Sequence, residues 1–417
     1  MFTTRIPSLA MLAALALSVG LNCLGRAAEE SDDALRKRAL ALNDLTGNDA
    51  IEGAVKNLLK QKDKSKPLLV VAERMAQAKE PPFNYNAAFV LGRVAQEQKD
   101  LETAKVMYRI CSKEATKLQS GQKLAQSFGG LIDLYYEAKK FKEVVEICRE
   151  FLDLKGDQTV DRLKPAVIER MIQAMARQGK IDDALKLVDN FVEAENKEGG
   201  WWSLQLKAWV LREGNRLDDA VKAYESVLER IEADKTLKDD QKERYVERNK
   251  YLLSGVYVDQ NKIDKAAEQL QALLKKKPDD PTYLNDLGYI WADHNMNLEE
   301  AEKMIRKAIE EERKQRKAIP DLPAEADKDN SAYLDSLGWV LFKQKKYEDA
   351  KKHLLQAIDD PDGQHIEILD HLADVHIALK EKDKAIAVWK KALDLPNATK
   401  REQEKKAAVE KKLKENQ

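Results

Sequence analysis

Two stretches of this 417-residue chain indicate its fold most clearly: "LNDLGYIWADHNMNLEEAEKMIRKAI" at 284–309 and "LDSLGWVLFKQKKYEDAKKHLLQAI" at 334–358. Each opens with Leu-x-x-Leu-Gly followed by an aromatic residue, and each carries an alanine in its second half, Ala301 or Ala350. One pattern that recurs along a chain indicates a repeated structural unit.

The spacing inside the first stretch predicts a helical hairpin. When Pro281 is numbered as position 1, the large apolar residues and the glycine of the first half fall on one helical face, at positions 4, 7, 8 and 11: Leu284, Leu287, Gly288 and Trp291. The polar break "DHNMN" follows, and a second apolar face then contains Ala301, Ile305 and Ala308. A glycine facing small residues lets the two helices approach closely.

The same template fits other parts of the chain, and Ser254 precedes Gly288 by one period of 34 residues. This period and residue order resemble the tetratricopeptide repeat (TPR), over about residues 85–399. The resemblance implies an all-α, right-handed superhelical solenoid of stacked hairpins, because one hairpin cannot bury its apolar face alone. The predicted units are 85–118, 125–158, 165–198, 201–234, 247–280, 281–315, 331–364 and 366–399.

Outside the units, four segments have a different composition. Residues 28–84 predict an N-terminal helical cap or a degenerate repeat, and the highly charged 400–417 predicts a capping helix or tail. Two charged segments, 234–245 and 315–330, interrupt the array and are interpreted as surface insertions or helix extensions. The array therefore spans most of the chain.

The first 27 residues have the pattern of a secretory signal peptide. Arg5 precedes the apolar run "LAMLAALALSVGL", and small residues end at Ala27. The run is shorter than the roughly 20 residues of a bilayer span. We therefore expect cleavage after Ala27, a periplasmic or secreted protein, and no membrane span after cleavage. The alternative is a membrane-tethered assembly factor that keeps residues 6–25 as an anchor.

Charge and cysteine content exclude two classes of protein. Lys and Arg (72) nearly balance Asp and Glu (73), which gives no indication of nucleic-acid binding. Only Cys111 and Cys148 follow the predicted signal, too few for a disulfide scaffold. Both occupy packing positions of second helices, which predicts small buried side chains. A disulfide between them is the open alternative.

The sequence contains none of the common catalytic motifs, so we predict a protein that is not an enzyme and has no cofactor or metal. The alternative is a metal-dependent enzyme with a site near His365–His376. There His371 and Asp374 share a helix face at i, i+3, the spacing of two metal ligands. The competing interpretation places His376 at the buried aromatic position of the template and the carboxylates on another face.

A second stripe on each first helix, at positions 5, 9 and 12, predicts a binding surface. The TPR resemblance implies that this stripe lines a concave groove for a peptide segment or helix of another protein. The alternative is that these side chains pack between units. The predicted groove residues are Trp209, Tyr251, Asn285, Tyr289, Asp335, Trp339, Phe342, Asp370 and Asp374.

This stripe is aromatic and acidic, and in the three C-terminal units it lacks the lysines and arginines with which some TPR proteins, together with asparagine, hold acidic peptide ends. A neutral or basic partner segment fits it better. Because position 9 lies off the 4-7-8-11 stripe, the sequence predicts that Trp339→Ala weakens partner binding and leaves stability nearly unchanged, whereas Leu337→Ala opens a core cavity.

Overall fold

A computed structural model describes residues 30–78, 81–195, 201–320, 322, 326–396 and 400–417. These residues contain twenty α-helices, short 3₁₀ turns and no β-strand. Among them, no helix has both the length and the apolar character needed to cross a bilayer. The predicted all-α repeat solenoid is confirmed. The predicted signal peptide lies outside the described residues.

The chain divides into two compact units, and the described residues of the first lie within 30–138 and 147–164. The helix α1 packs on α3, α2 packs on α4, and α4 and α5 form a hairpin against which α6 packs. The helices with residues in this unit are α1 (Asp32–Ala41), α2 (Asn48–Lys60), α3 (Lys62–Ala76), α4 (Tyr85–Glu97), α5 (Leu101–Lys117), α6 (Gly121–Glu137), and parts of α7 (Phe141–Leu152) and α8 (Gln158–Arg177).

The second unit comprises residues 139–146 and 165–417. It contains the remaining parts of α7 and α8 and a series of helix pairs, in which each pair packs on the next. Its further helices are α9 (Ile181–Glu195), α10 (Trp202–Glu213), α11 (Leu217–Ala233), α12 (Asp239–Asp259), α13 (Ile263–Lys276), α14 (Pro281–Asp293), α15 (Leu298–Lys317), α16 (Ser331–Lys343), α17 (Tyr347–Asp359), α18 (Ile366–Ala378), α19 (Lys382–Leu393) and α20 (Lys400–Glu415).

The two interruptions of the array take different forms. The helix α12 begins at Asp239, within the charged segment 234–245, so that segment lengthens a first helix at its N-terminus. The helix α15 continues to Lys317, and the rest of 315–330 precedes α16. Arg316 anchors this segment, because its guanidinium donates to Asp327 at 2.8 Å and to Asp329 at 3.1 Å.

The hairpins end their first helices in the same way. The residue after the helical cap adopts the left-handed conformation, as Asn295 does with φ 55° and Lys345 with φ 64°. In the turn after α16, Lys345 N–H donates to the Phe342 carbonyl and Lys346 N–H donates to the Leu341 carbonyl, the paired bonds of a Schellman motif. This short turn returns the chain directly into the second helix.

Two glycines allow the helices of a hairpin to approach. A Cβ at Gly338 would lie 2.6 Å from Leu354 Cγ, and one at Gly288 would lie 2.7 Å from Ile305 Cγ1 and 2.9 Å from the Ala301 carbonyl oxygen. The glycine of the Leu-x-x-Leu-Gly pattern is therefore required by packing. The other template positions are buried as well, including Leu284, Leu287, Trp291, Leu334, Leu337 and Leu341.

The last helix, α20, packs against α18 and α19. Its Val409 and Leu413 join a cluster of buried residues that includes Leu369 and Trp389. This helix thus occupies the place that the first helix of a further repeat would take, and its outward side carries charge.

Candidate functional site

The first helices of the last three repeats, α14, α16 and α18, bring a group of aromatic side chains together. The rings of Trp339 and His371 stack with centroids 4.0 Å apart, and the rings of Trp339 and Phe342 stack at 4.9 Å. The Tyr289 ring lies 6.3 Å from that of His371. We call Tyr289, Trp339, Phe342 and His371 the aromatic layer. It spans three consecutive repeats.

Hydrogen bonds fix this layer. Trp339 Nε1 donates to Asp293 Oδ1 at 3.0 Å, and His371 Nδ1 lies 2.8 Å from Asp335 Oδ1. Lys343 Nζ lies 4.8 Å from the centroid of the Trp339 ring. Trp339 is only 8% exposed and His371 4% exposed. The layer is thus both packed and polar, with acceptors from α14 and α16.

His371 makes the stability of this layer depend on pH. Burial disfavours the charged ring, but the Asp335 carboxylate outweighs that effect, so the His371 pKa lies above its ordinary value. Lys405 opposes the charge, and Glu367 favours it. A histidine whose folded-state pKa is raised contributes stability in full below its unfolded pKa and loses that contribution as pH rises through the folded pKa.

We therefore expect the C-terminal repeats to be less stable at about pH 8.5 than at about pH 6. In His371→Gln, the part of this stability difference that comes from His371 should be absent. Urea unfolding followed by circular dichroism at both pH values measures this difference. The comparison of wild type with His371→Gln cancels the titration of the other groups, including His353, whose pKa burial lowers. A wild-type-minus-variant difference that is the same at both pH values would contradict the assignment.

A second ionic cluster joins the last repeat to α20. Lys412 Nζ lies 2.9 Å from both carboxylate oxygens of Asp370 and 2.7 Å from Asp374 Oδ2, and Lys405 Nζ lies 3.2 Å from Asp370 Oδ2. Burial raises the pKa of Asp370, but the lysines outweigh it and hold that pKa below its usual value. The pKa of Asp374 is raised by burial and by the neighbouring Asp370 charge.

The remaining predicted groove residues lie farther towards the N-terminus of the second unit. Tyr251 OH donates to Asp286 Oδ2 at 2.7 Å, and the Tyr251 and Tyr283 rings lie 5.6 Å apart. Asn285 Nδ2 donates to Asp286 Oδ1 at 3.2 Å. The Arg177 guanidinium carbon, Cζ, lies 5.4 Å from the centroid of the Trp209 ring on α10. Trp209 is therefore separate from the aromatic layer.

The expectation that Trp339, at position 9, lies off the core is wrong. Asn285, Asp335, Trp339 and Asp370 are buried. The remaining five, Trp209, Tyr251, Tyr289, Phe342 and Asp374, are half-buried. For the four buried residues, the reason is that the next helix packs over them: α16 packs on α14, α18 packs on α16, and α20 packs on α18. Trp339 is accordingly a packing residue as well as a member of the layer.

The residues that the sequence reasoning missed lie at positions 6 and 13. Asp286 and His371 occupy position 6, and Asp293 occupies position 13. Each lies one residue beyond a stripe position along the first helix. For His371, the available signal was a polar residue at position 6 that follows a repeat with an aromatic residue, Trp339, at position 9. Asp286 instead contacts Tyr251, at position 5 of the preceding repeat.

Two of the three histidines of the proposed metal region, His371 and His376, have carboxylate partners. His371 is bonded to Asp335, and His376, which is 5% exposed at the template's aromatic position, lies 2.6 Å from Glu381 Oε2. Across the described residues, no group of three or more His, Cys, Asp or Glu side chains is placed to hold a metal ion. Cys111 and Cys148 are both buried, and Cys111 forms no disulfide.

Comparison with known proteins identifies the repeat. Family models of the tetratricopeptide repeat match residues 251–316, 331–360 and 366–399. A TPR repeat-containing protein of Pseudomonas aeruginosa is 26% identical over 189 residues, which is 45% of this chain and 27% of that relative. The match thus spans little more than a quarter of the curated relative.

Solved structures of helical repeat proteins are also similar. A tetratricopeptide repeat protein from Parabacteroides merdae is 15% identical, with a TM-score of 0.45, over 68% of this chain and 99% of that one. A TPR protein from Thermus thermophilus is 17% identical, with a TM-score of 0.39, over 52% and 98% of the two chains.

Proposed function

The chain is a tetratricopeptide-repeat protein, and from that premise we propose that it is an exported, non-catalytic scaffold that binds a segment of another protein. The observation that carries the proposal is the aromatic layer, which three consecutive first helices build from Tyr289, Trp339, Phe342 and His371. Tyr289 and Phe342 are only half-buried, so the layer keeps an apolar edge in contact with solvent. Such rings are frequent anchors of protein interfaces.

The charge around the layer supports a neutral or basic partner segment. Asp293 and Glu367 are exposed near the layer. Burial raises the pKa of the Tyr289 hydroxyl most, and the negative charges of Glu367, Asp335, Asp293 and Asp370 raise it further. A negative surface attracts a basic segment and repels an acidic one. The proposal of export rests on the signal-peptide pattern of residues 1–27.

Site-specific photo-cross-linking tests the binding face. We expect a photoreactive phenylalanine analogue at Phe342 to cross-link one specific partner in the cell envelope. Phe342 is half-buried at the edge of the aromatic layer, so the analogue reaches both the layer and a bound chain. The matched control is the same analogue at Lys352, an exposed position on the second helix of the same repeat.

Identical cross-linked products from both positions, or a product only from Lys352, would contradict binding at the aromatic layer. A product from Phe342 that disappears when a basic segment of the partner is neutralised would also establish the chemistry of the partner segment.

Export has its own test. We expect the protein isolated from the envelope fraction to begin at Ala28, as measured by N-terminal sequencing or intact mass, because the residues before it have the signal pattern. An envelope protein that still carries Met1 would instead support the tethered alternative, in which residues 6–25 anchor the chain.

A further inference from the structure

We propose that Asp286 is the receptor for a lysine or arginine side chain of the partner segment, within a tyrosine-lined site formed by α12, α14 and α16. This proposal rests on the function proposed above and names the chemistry of the partner. The site consists of Asp286 and Asn285 with Tyr251, Tyr283 and Tyr333, which we call the tyrosine site.

The first observation is a carboxylate without a cation. Among the described residues of this unit, the fully buried acids are paired: Asp335 with His371, Asp370 with Lys412, and Glu247 with Lys277. Asp286 accepts only from the Tyr251 hydroxyl and the Asn285 amide, and no Lys, Arg or His is paired with it in the described part of the chain. Burial raises its pKa, and no basic group counteracts that effect.

The second observation is an orphaned acceptor beside it. Asn285 is 6% exposed, and its Oδ1 has no hydrogen-bond partner among the described residues. The orientation of the amide is fixed, because a carboxylate only accepts and the Asn285 NH₂ group must therefore face Asp286. A buried acceptor that lacks a donor is costly, which a ligand N–H would relieve.

The third observation is the aromatic surround. Tyr251 and Tyr283 pack with ring centroids 5.6 Å apart, and the Tyr333 hydroxyl lies 3.4 Å from Thr282 Oγ1. Burial raises the pKa of Tyr333, and the nearby Asp286 carboxylate raises it further. Aromatic faces attract cations, and they exclude the water that would screen the carboxylate.

Together these groups match an ammonium or guanidinium group. One carboxylate and one amide oxygen would leave most ligand positions of a divalent cation to water. The same two acceptors can receive hydrogen bonds from a basic side chain, beside the neighbouring tyrosine rings. Tyr251, Tyr283 and Asp286 are half-buried, so the side chain of a bound segment reaches them from solvent.

Fluorine NMR of the full chain labelled with 3-fluorotyrosine tests the proposal without a partner. The probes are acetyl-arginine methylamide, acetyl-lysine methylamide and, as a neutral isostere of arginine, acetyl-citrulline methylamide. Resonances are assigned with Tyr251→Phe and Tyr283→Phe. We expect saturable shifts of the Tyr251 and Tyr283 resonances with a basic probe and none with citrulline.

Asp286→Asn keeps the shape of the side chain and removes its charge, so we expect the affinity for the basic probe to fall at least about tenfold. Asp264→Asn, at an exposed position on α13, is the matched control and should leave it unchanged. The relative affinity of the arginine and lysine probes decides which side chain the site prefers.

Equal shifts with citrulline, an unchanged affinity in Asp286→Asn, or no shift of either resonance with the basic probes would overturn the proposal. None of these results would contradict the scaffold function, because cross-linking from Phe342 tests that function separately at the aromatic layer. Loss of specific cross-linking, with intact probe binding at Asp286, would refute the proposed scaffold function and retain the tyrosine site.

Discussion

Replacing Trp389 by alanine is expected to lower the free energy of unfolding of the last repeat by about 3–5 kcal/mol. Trp389 is 1% exposed and packs in the cluster that α18 and α19 share with α20. Its Nε1 donates to Asp370 Oδ1 at 2.9 Å, inside the ionic cluster that Lys412 completes. The substitution removes the largest side chain of this cluster and one donor to a buried carboxylate.

Urea unfolding followed by circular dichroism measures the loss, and hydrogen exchange of α20 shows where it occurs. We expect α20 to lose protection first, because Val409 and Leu413 pack in the same cluster. Trp389→Phe is the matched control. It keeps an aromatic ring and removes the N–H donor, so its cost should be smaller, about 1–2 kcal/mol. An alanine variant as stable as the phenylalanine variant would show that the cluster does not hold the last repeat.

Replacing Trp339 by alanine is also expected to cost about 3–5 kcal/mol, contrary to the expectation from its position on the second stripe. The indole is 8% exposed, stacks on His371, and donates from Nε1 to Asp293. Its loss leaves a cavity between two repeats and removes the ring against which the buried His371 packs. Both effects act on the contact between α16 and α18.

Leu337→Ala is the matched control for Trp339→Ala, because Leu337 is a buried template residue on the same helix. We expect this substitution to lower the free energy of unfolding by about 2–5 kcal/mol. Urea unfolding of both variants decides the matter. A Trp339→Ala variant that unfolds like the wild type, beside a clearly weakened Leu337→Ala variant, would show that the indole belongs to the binding surface alone. For the same reason, partner binding by Trp339→Ala is interpretable only after its stability is known.

The features that the sequence predicted are local. Leu284, Leu287 and Trp291 fall on one helical face because of their spacing alone. Gly288 and Gly338 are required because a Cβ there would clash with the second helix of the same hairpin. Because the same local pattern recurs, the helical repeat was recognisable from the sequence, most strongly from residue 247 onward.

The burial of Asp335, Trp339 and Asp370 could not be predicted in the same way, because the next repeat or α20 decides it. The partner of Asp370, Lys412, lies 42 residues farther along the chain in a helix rich in lysine and glutamate, where no single lysine stands out. Likewise, the hydrogen bond from Trp339 to Asp293 joins residues 46 positions apart. Such contacts depend on how the hairpins stack, which the repeat pattern alone does not specify.

Hydrogen–deuterium exchange of the full chain, with and without the protein recovered by cross-linking from Phe342, tests whether a partner binds along the first-helix face. We expect the partner to protect the first helices α12, α14, α16 and α18 and to leave the exchange of the second helices α13, α15 and α17 unchanged. Protection confined to the second helices, or no change in α14 and α16 at a saturating partner concentration, would contradict binding along the first-helix face.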